Sequence, residues 1–137
     1  MTVPRPIPRL TEDNRAFWTG GAEGKLNIMR CNDCGGHIHP PRLLCRHCLS
    51  ENVSPEAMPG TAVIDTFTIN HQAWAKGMEV PFVIARVAVD GAPGVFLTTN
   101  IVGSPVDAVA FGDKVRVVFE QQGEIYYPLF EKVESNG

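Results

Sequence analysis

The sequence lacks the signals that direct a chain into or across a membrane. No stretch approaches the roughly 20 apolar residues that a membrane span needs. The first residues carry prolines and arginines where a signal peptide would have an apolar centre. We therefore expect a soluble protein in the reducing cytoplasm, where disulfides are rare.

Catalytic signatures are equally scarce. The sequence has no nucleophile elbow, no phosphate-binding glycine loop and no paired catalytic carboxylates. His71 has no acid or nucleophile near it in sequence, and Asp107 and Asp113 lie in predicted turns. We predict no catalytic residue, which argues against an enzyme that acts by itself.

Charge is unevenly divided along the 137 residues. Residues 1–50 carry seven Lys/Arg against four Asp/Glu, a net +3, and residues 51–137 carry five against eleven, a net -6. The composition, 44% hydrophobic and 20% charged, is that of an ordinary globular protein. The acidic larger half would repel DNA or RNA, so we do not expect nucleic acid as a partner.

The four cysteines form two Cys-x-x-Cys pairs, Cys31 with Cys34 and Cys45 with Cys48. Two such turns supply the tetrahedral S4 shell of a closed structural zinc site, and the short interval between the pairs predicts a small zinc ribbon. Gly35 suits the positive φ of the first turn, whereas Leu49 holds the matching place in the second.

Redox chemistry and iron binding are the alternatives to zinc for these cysteines. A redox pair would open a helix after a strand, and Gly35-Gly36 after the first pair disfavours one. Iron in the same S4 cage stays an alternative, because ligand geometry alone does not separate the two metals. A closed shell leaves no open position for substrate, so either metal would be structural.

Before the ribbon, the sequence predicts a short helix that starts at Thr11 as its N-cap and stops at Gly20-Gly21. A helix of two or three turns is marginal alone, so Phe17 and Trp18 must dock on something. Packing on the chain's own core and insertion into a partner both stay open. The alternation over 25–30 predicts the strand that leads into the ribbon.

After the ribbon, apolar residues recur with a period of two in five runs, 60–69, 82–89, 95–101, 114–120 and 124–132. A helical turn between the third and fourth runs completes the order of an OB barrel. We thus predict a mainly β fold: an N-terminal segment with a short helix (1–24), a zinc ribbon (25–57) and a five-stranded OB barrel (58–137). The candidate interior residues are Val63, Phe67, Ile69, Phe82, Ile84, Val87, Val95, Leu97, Val115, Val117 and Phe119.

The longest interruption between strands, residues 70–80, contains Trp74 and Met78. OB folds use this loop for recognition, and large apolar groups are more than a solvent loop needs. Packing of the loop on its own barrel is the alternative. We predict that Trp74 and Met78 bind a partner.

Taken together, these segments resemble the DUF35 family. The resemblance spans nearly the whole chain. It is carried by Phe17-Trp18, Leu26-Asn27-Ile28-Met29-Arg30 entering Cys31-x-x-Cys34-Gly35, Pro40-Pro41-Arg42, Cys45-x-x-Cys48, Gly60, the strand from Pro81 to Val87 and the segment from Phe111 to Val117.

The resemblance implies a rubredoxin-like zinc ribbon with an OB fold and a function as a small partner subunit. Members of that family serve thiolases, HMG-CoA synthase or lipid-transfer-protein-like aldolases that cleave steroid side-chain CoA thioesters, and some are fused to MaoC-like hydratases. We expect a freestanding accessory subunit, with a nucleic-acid-binding zinc-ribbon/OB protein as the rival hypothesis. If acyl-CoA reaches this chain, Arg9, Arg15, Lys25 and Arg42 are the candidates to contact its phosphates.

Overall fold

A computed structural model describes residues 7–73 and 80–133 of the chain. The predicted class, mainly β with one short N-terminal α-helix, is confirmed. Within the described residues, none of the helices has the length and apolar character to cross a membrane. In chain order the elements are α1 (Arg15–Thr19), a 3-10 turn (Gly20–Glu23), β1 (Leu26–Cys31), β2 (His37–Ile38), β3 (Val53–Met58), β4 (Thr61–Asn70), β5 (Phe82–Val89), β6 (Phe96–Val102), a 3-10 turn (Val106–Ala108), β7 (Lys114–Gln122) and β8 (Ile125–Lys132).

Helix α1 begins later than the sequence predicts. Its N-cap is Asn14, and not Thr11. The Asn14 side chain accepts a bond from the Thr11 N–H (2.7 Å) and donates one to the Arg9 carbonyl (3.1 Å), so it folds the preceding residues into a turn. The first helical residue is therefore Arg15.

The predicted stop at Gly20-Gly21 is confirmed for the α-helix, which ends at Thr19 with Gly20 as its C-cap. The chain then continues as a 3-10 turn, whose C-cap Gly24 has a left-handed φ of 70°. A Cβ on Gly21 would collide with the Cβ of Tyr126. The close approach of this turn to β8 is therefore a second reason for glycine at position 21.

The ribbon contains a three-stranded antiparallel sheet in the order β2-β1-β3. Strand β3 was not predicted, because Pro55 lies within it and proline cannot donate to a ladder. Pro55 pairs with Met29 on one side, and β3 is an edge of the sheet, where the missing donor is tolerated.

Strands β4 to β8 close a barrel in the order β4-β5-β6-β8-β7. All neighbours are antiparallel except β6 and β8, which pair in parallel through Ile101↔Phe130 and Val102↔Glu131. The 3-10 turn Val106–Ala108 stands between the third and fourth barrel strands, where the sequence predicts a helical turn. The predicted five-stranded OB barrel is confirmed.

The prediction of which β5 side chains point into the barrel is wrong for Phe82 and Ile84. Val83 and Ala85 are buried, whereas Phe82 and Ile84 are only half-buried on the outer face. The strand is apolar at both phases, so its periodicity alone does not select the inner side. The predicted burial of Val87 is confirmed, as is that of Val95, Leu97 and Val115.

Strand β4 changes phase along its length. Ala62 and Ile64 are buried near its start, and Val63, which was predicted to be interior, is not. A register shift between Ile64 and Thr66 then moves the inner face by one residue. After the shift Phe67 packs against the core, together with Ile69, Val117 and Phe119 from the predicted set.

Candidate metal centre and its surroundings

The two cysteine pairs form two matching knuckles. In each, the N–H of the residue after the second cysteine donates to the carbonyl of the first: Gly35 to Cys31 (2.9 Å) and Leu49 to Cys45 (2.8 Å). Both residues have positive φ, 78° for Gly35 and 64° for Leu49. The local fold of the first knuckle is therefore repeated in the second.

Backbone amides point at the cysteine sulfurs. Cys31 Sγ accepts from the N–H of Cys34 (3.5 Å), Cys34 Sγ from Gly36 (3.4 Å), and Cys45 Sγ from His47 (3.3 Å). Such bonds stabilise the thiolate over the thiol, because the N–H dipole favours negative charge on sulfur. The knuckles are therefore suited to bind a cation through thiolates.

The knuckles bring the four cysteine sulfurs together, all within 4.8 Å of one another. Cys31 and Cys48 are 3.6 Å apart, and so are Cys34 and Cys45. A tetrahedral zinc site with Zn–S bonds of about 2.3 Å requires sulfurs about 3.8 Å apart. The residues thus fit an S4 zinc site in size and in donor type. Cys31 and Cys45 are buried and the other two are exposed, so one side of the site faces solvent.

The thiols differ in acidity across the site. The backbone N–H of Cys34, acting against burial, lowers the pKa of Cys31 to about 7. At Cys48 the N–H of Ser50 also lowers the pKa, but the Cys31 thiol and burial outweigh it and raise it to about 12. Metal binding must therefore displace protons from part of the set, which makes the affinity dependent on pH.

Polar contacts hold the knuckles to each other. The Asp33 carboxylate, in the first knuckle, accepts from Ser50 Oγ and from Asn52 Nδ2 (3.2 Å), which follow the second. These hydrogen bonds lower the pKa of Asp33, and the bond from Ser50 has the larger effect. The two cysteine pairs are thereby joined by side-chain hydrogen bonds.

A second set of contacts ties the strands of the ribbon sheet. Glu56 on β3 reaches His37 Nε2 (3.0 Å) and Arg30 Nε (3.7 Å). Arg30 and His37 are themselves partners between β1 and β2. One carboxylate thus spans all three strands beside the metal site.

The aromatic pair of α1 lies between the ribbon and the barrel. Phe17 is 7% exposed and belongs to the main core, so its structural environment is that of a packing residue. Trp18 is half-buried and meets Phe17 edge-on at 4.9 Å and Tyr127 at 5.8 Å. Of the two, Trp18 offers the larger surface to a partner.

A groove of about 620 Å³ opens beside this pair, and sequence reasoning missed it. Its far wall is the outer face of β5 and β6. The sequence of β5 does contain a signal for this groove. Apolar residues on both faces of the strand indicate that both faces are covered. Its lining includes Phe17, Trp18, His39, Phe82, Ile84 and Thr98.

His39, which is half-buried, is the ionisable residue that lines this groove within the described part of the chain. Burial lowers its pKa to about 4, so the imidazole is neutral at physiological pH. Its ring is 5.1 Å from that of Phe17. Its Nδ1 atom is buried and has no hydrogen-bond partner in the described part of the chain.

The four basic candidates for CoA contact lie on the surface of the chain. All four side chains, Arg9, Arg15, Lys25 and Arg42, are exposed. Lys25 lies 3.8 Å from Glu23, and Arg42 lines a recess of about 410 Å³ with Thr11. Their contact with CoA stays a prediction.

The partner-binding candidates Trp74 and Met78 lie outside the described residues. Their role stays a prediction from the sequence, as does that of Phe17 and Trp18.

Two family models match successive parts of the chain. Residues 18–54 match a family model described as the rubredoxin-like zinc ribbon domain of ChsH2. Residues 55–120 match one described as the C-terminal OB-fold domain of ChsH2. A solved structure described as "Ltp2-ChsH2(DUF35) aldolase" contains a chain that is 30% identical, with a TM-score of 0.79, over 92% of this chain and 98% of that one. The chain belongs to the DUF35 family.

Two curated relatives extend beyond the DUF35 match. A "Probable enoyl-CoA hydratase alpha subunit" from Thermomonospora curvata is 33% identical over 92% of this chain. A "3-oxo-4,17-pregnadiene-20-carboxyl-CoA hydratase alpha subunit" from Mycobacterium tuberculosis is 30% identical over 82%. The match covers only 39% and 35% of these relatives, so the chain spans less than two-fifths of their length.

A DUF35 protein of unknown function from Sulfolobus solfataricus has the same fold. Its crystal structure aligns with a TM-score of 0.60 over 85% of this chain and 82% of that one. At 21% identity this likeness shows the fold alone.

Proposed function

We propose that this chain is a non-catalytic, zinc-binding accessory subunit of an acyl-CoA-processing complex. Its partner is a thiolase-fold enzyme, either a thiolase or an aldolase of the lipid-transfer-protein type. Its task is to stabilise that enzyme. The observation that carries the proposal is the 98% coverage of a chain in a structure described as an Ltp2–ChsH2 aldolase.

The metal site supports an accessory role. Four thiolates would saturate a zinc ion, which leaves no position for water or substrate, so the ion would stabilise the ribbon and take no part in a reaction. The cysteines fit zinc in distance and donor type. Iron, which accepts the same S4 cage, would have the same structural role.

The names of the curated relatives bear on the substrate class. Both are named as subunits of hydratases, and both names contain a CoA thioester. We infer that the complex to which the chain belongs acts on lipid or steroid side-chain CoA thioesters, and that it contains an aldolase and associates with a MaoC-like hydratase. The matched segment is the smaller part of those relatives, so we do not assign their hydratase activity to it.

Nucleic-acid binding is the competing function for a zinc ribbon joined to an OB barrel. A nucleic-acid-binding OB fold presents a positively charged groove, whereas residues 51–137 have a net charge of -6. Phosphates would be repelled by the barrel. The charge favours the accessory subunit.

The direct test is co-purification of the tagged chain from its native cells, followed by mass spectrometry of the proteins retained. We expect a thiolase-fold subunit in stoichiometric amount. That subunit should then be expressed with and without this chain, and its solubility and acyl-CoA turnover compared. Recovery of nucleic acid in place of a thiolase-fold protein, or turnover by this chain alone, would overturn the proposal.

Contact with CoA is tested separately on the reconstituted complex. Arg15→Glu should raise the KM for acyl-CoA several-fold if Arg15 meets a phosphate, because a carboxylate would repel it. Lys114→Glu, an exposed charge reversal on the barrel, is the matched control. An equal KM for both variants would remove Arg15 from the CoA site.

A further inference from the structure

The second zinc knuckle exposes three leucines. Leu43 and Leu44, which precede Cys45, are each 45% exposed, and Leu49 is 70% exposed. The N–H of Cys45 donates to the Ser50 carbonyl (2.8 Å), and this bond closes the knuckle. Leu49 lies inside this closed loop and Leu43 and Leu44 directly precede it, so the three exposed leucines lie within residues 43–49.

Leu49 is in a conformation that disfavours leucine. Its φ is 64°, and it is the sole non-glycine residue with positive φ among residues 7–73 and 80–133. The same position in the first knuckle is Gly35, with a φ of 78°. A Cβ in the left-handed region meets the neighbouring carbonyl, a strain that glycine escapes. The backbone conformation of the knuckle thus favours glycine at this position, but the second knuckle has Leu49.

The strain at Leu49 is not offset by packing within the chain. With 70% of its surface exposed, the side chain is absent from the buried clusters of the described residues. Strained residues and exposed apolar groups both concentrate at binding surfaces. Their coincidence in one side chain indicates that its packing partner lies on another molecule.

Two arginines border the leucines. Arg42 and Arg46 are exposed, and within the described residues neither takes part in an ion pair. Arg30, the third arginine of the ribbon, is paired with Glu56. Arg42 and Arg46 are therefore available to carboxylates outside the chain.

We propose that the knuckle patch, formed by Leu43, Leu44 and Leu49 with Arg42 and Arg46, is the surface that docks on the thiolase-fold partner. The matching surface of the partner is an apolar depression with Asp or Glu at its rim. Leu49 enters the depression, and the arginines pair with the rim. This inference rests on the proposed function, since it names the surface through which that partner is held.

The test replaces Leu49 by glycine and by asparagine. Both residues accept the left-handed conformation, and asparagine does so without the added flexibility of glycine. We expect zinc content and Tm of the isolated chain to be unchanged or raised. Affinity for the thiolase-fold subunit recovered by co-purification, measured by calorimetry, should fall at least 10-fold. Stability and binding would then move in opposite directions, which a merely structural role does not produce.

Matched variants separate the patch from general surface effects. Ile7→Asn removes another aliphatic side chain of similar exposure, 67%, and should leave affinity within 2-fold. Arg46→Glu should weaken binding most at low salt, while Lys114→Glu on the barrel should not.

Several results would overturn the inference. One is that both Leu49 variants bind the partner with wild-type affinity. Another is that both variants have a Tm several degrees below that of the wild-type chain, which would show that Leu49 packs within its own chain. A variant that changes self-association in sedimentation, but not partner binding, would assign the patch to a second copy. If the wild-type chain captures no thiolase-fold protein at all, the proposed function itself fails.

Discussion

The ring of Phe17 lies 5.1 Å from the imidazole of His39, across the junction of α1 with the chain that follows β2. Phe17 is 7% exposed and packs in the main core. Through this contact the short helix is fixed on the folded chain, although five residues of helix would not persist alone.

The first prediction concerns this contact. Phe17→Ala should lower the free energy of unfolding by about 3 to 5 kcal/mol, because a buried aromatic side chain would leave a cavity. Phe111→Ala removes the same side chain from a site that is 69% exposed and should cost less than about 1 kcal/mol. Urea titration of both variants checks the difference. Equal losses would show that Phe17 is not a core residue.

The second prediction separates packing from partner binding. Trp74→Ala should weaken association with the thiolase-fold partner by about 2 kcal/mol or more, which is the usual threshold for a hot spot. Its cost in unfolding free energy should be small. Trp18→Ala should affect both quantities, because Trp18 is half-buried against Tyr127 and still lines the groove.

Pull-down affinity and thermal stability are measured on the same preparations of both tryptophan variants. If Trp74→Ala loses stability in proportion to affinity, residue 74 packs on its own barrel and the anchor prediction fails. If neither variant changes either quantity, the partner is held elsewhere.

The third prediction concerns the metal. The purified chain should contain one zinc per molecule, and Cys31→Ser or Cys45→Ser should remove most of it, since each takes away one of four ligands. Structural zinc in small modules contributes about 10 to 16 kcal/mol of apparent binding free energy. Elemental analysis measures the zinc content, and titration with a zinc-selective chelator measures the binding free energy. Iron in place of zinc would identify the other metal, and a Cys→Ser variant with full metal content would contradict the site.

The fourth prediction is a pH dependence that arises from His39. Its folded-state pKa of about 4 is below the ordinary 6.5 because burial disfavours the charged ring. Between pH 6.5 and about 4, His39 is therefore protonated in the unfolded chain but neutral in the folded chain. His39 should stabilise the fold fully above pH 6.5, and this contribution, at most about 3 kcal/mol, should be lost as the pH falls toward 4.

The measurement compares the wild-type chain with His39→Phe. The cysteines titrate in both proteins, so the difference between their unfolding free energies isolates His39. That difference should shift in favour of the variant between pH 6.5 and 4. A difference that stays constant over this interval would contradict the buried, neutral imidazole.

The sequence was sufficient to predict the convergence of the four cysteines and the order of the barrel strands. The two Cys-x-x-Cys turns are local, so their geometry follows from the chemistry of a few neighbouring residues. The five barrel strands carry turn signals at each end, and the strand Phe82–Val89 has the bounds that the periodicity predicts.

What the sequence did not provide depends on contacts between distant segments. Ile84 was predicted to be interior, but it faces a groove whose other wall includes Trp18, more than 60 residues earlier. The close approach of Tyr126, which requires a residue without a side chain at Gly21, also has no local signal in the sequence. No local pattern contains such information, because it belongs to the assembled fold.

One hydrophobic cluster runs from the ribbon into the barrel. Leu26, Ile28 and Met58 of the ribbon sheet are buried together with barrel residues such as Ile64 and Phe130. The boundary between the two family matches therefore crosses a shared interior and does not separate two independent folding units. Removal of the metal should lower the melting temperature of the entire chain in a single cooperative transition. Occupancy of the four sulfurs would then govern the stability of a barrel whose described residues supply none of the ligands.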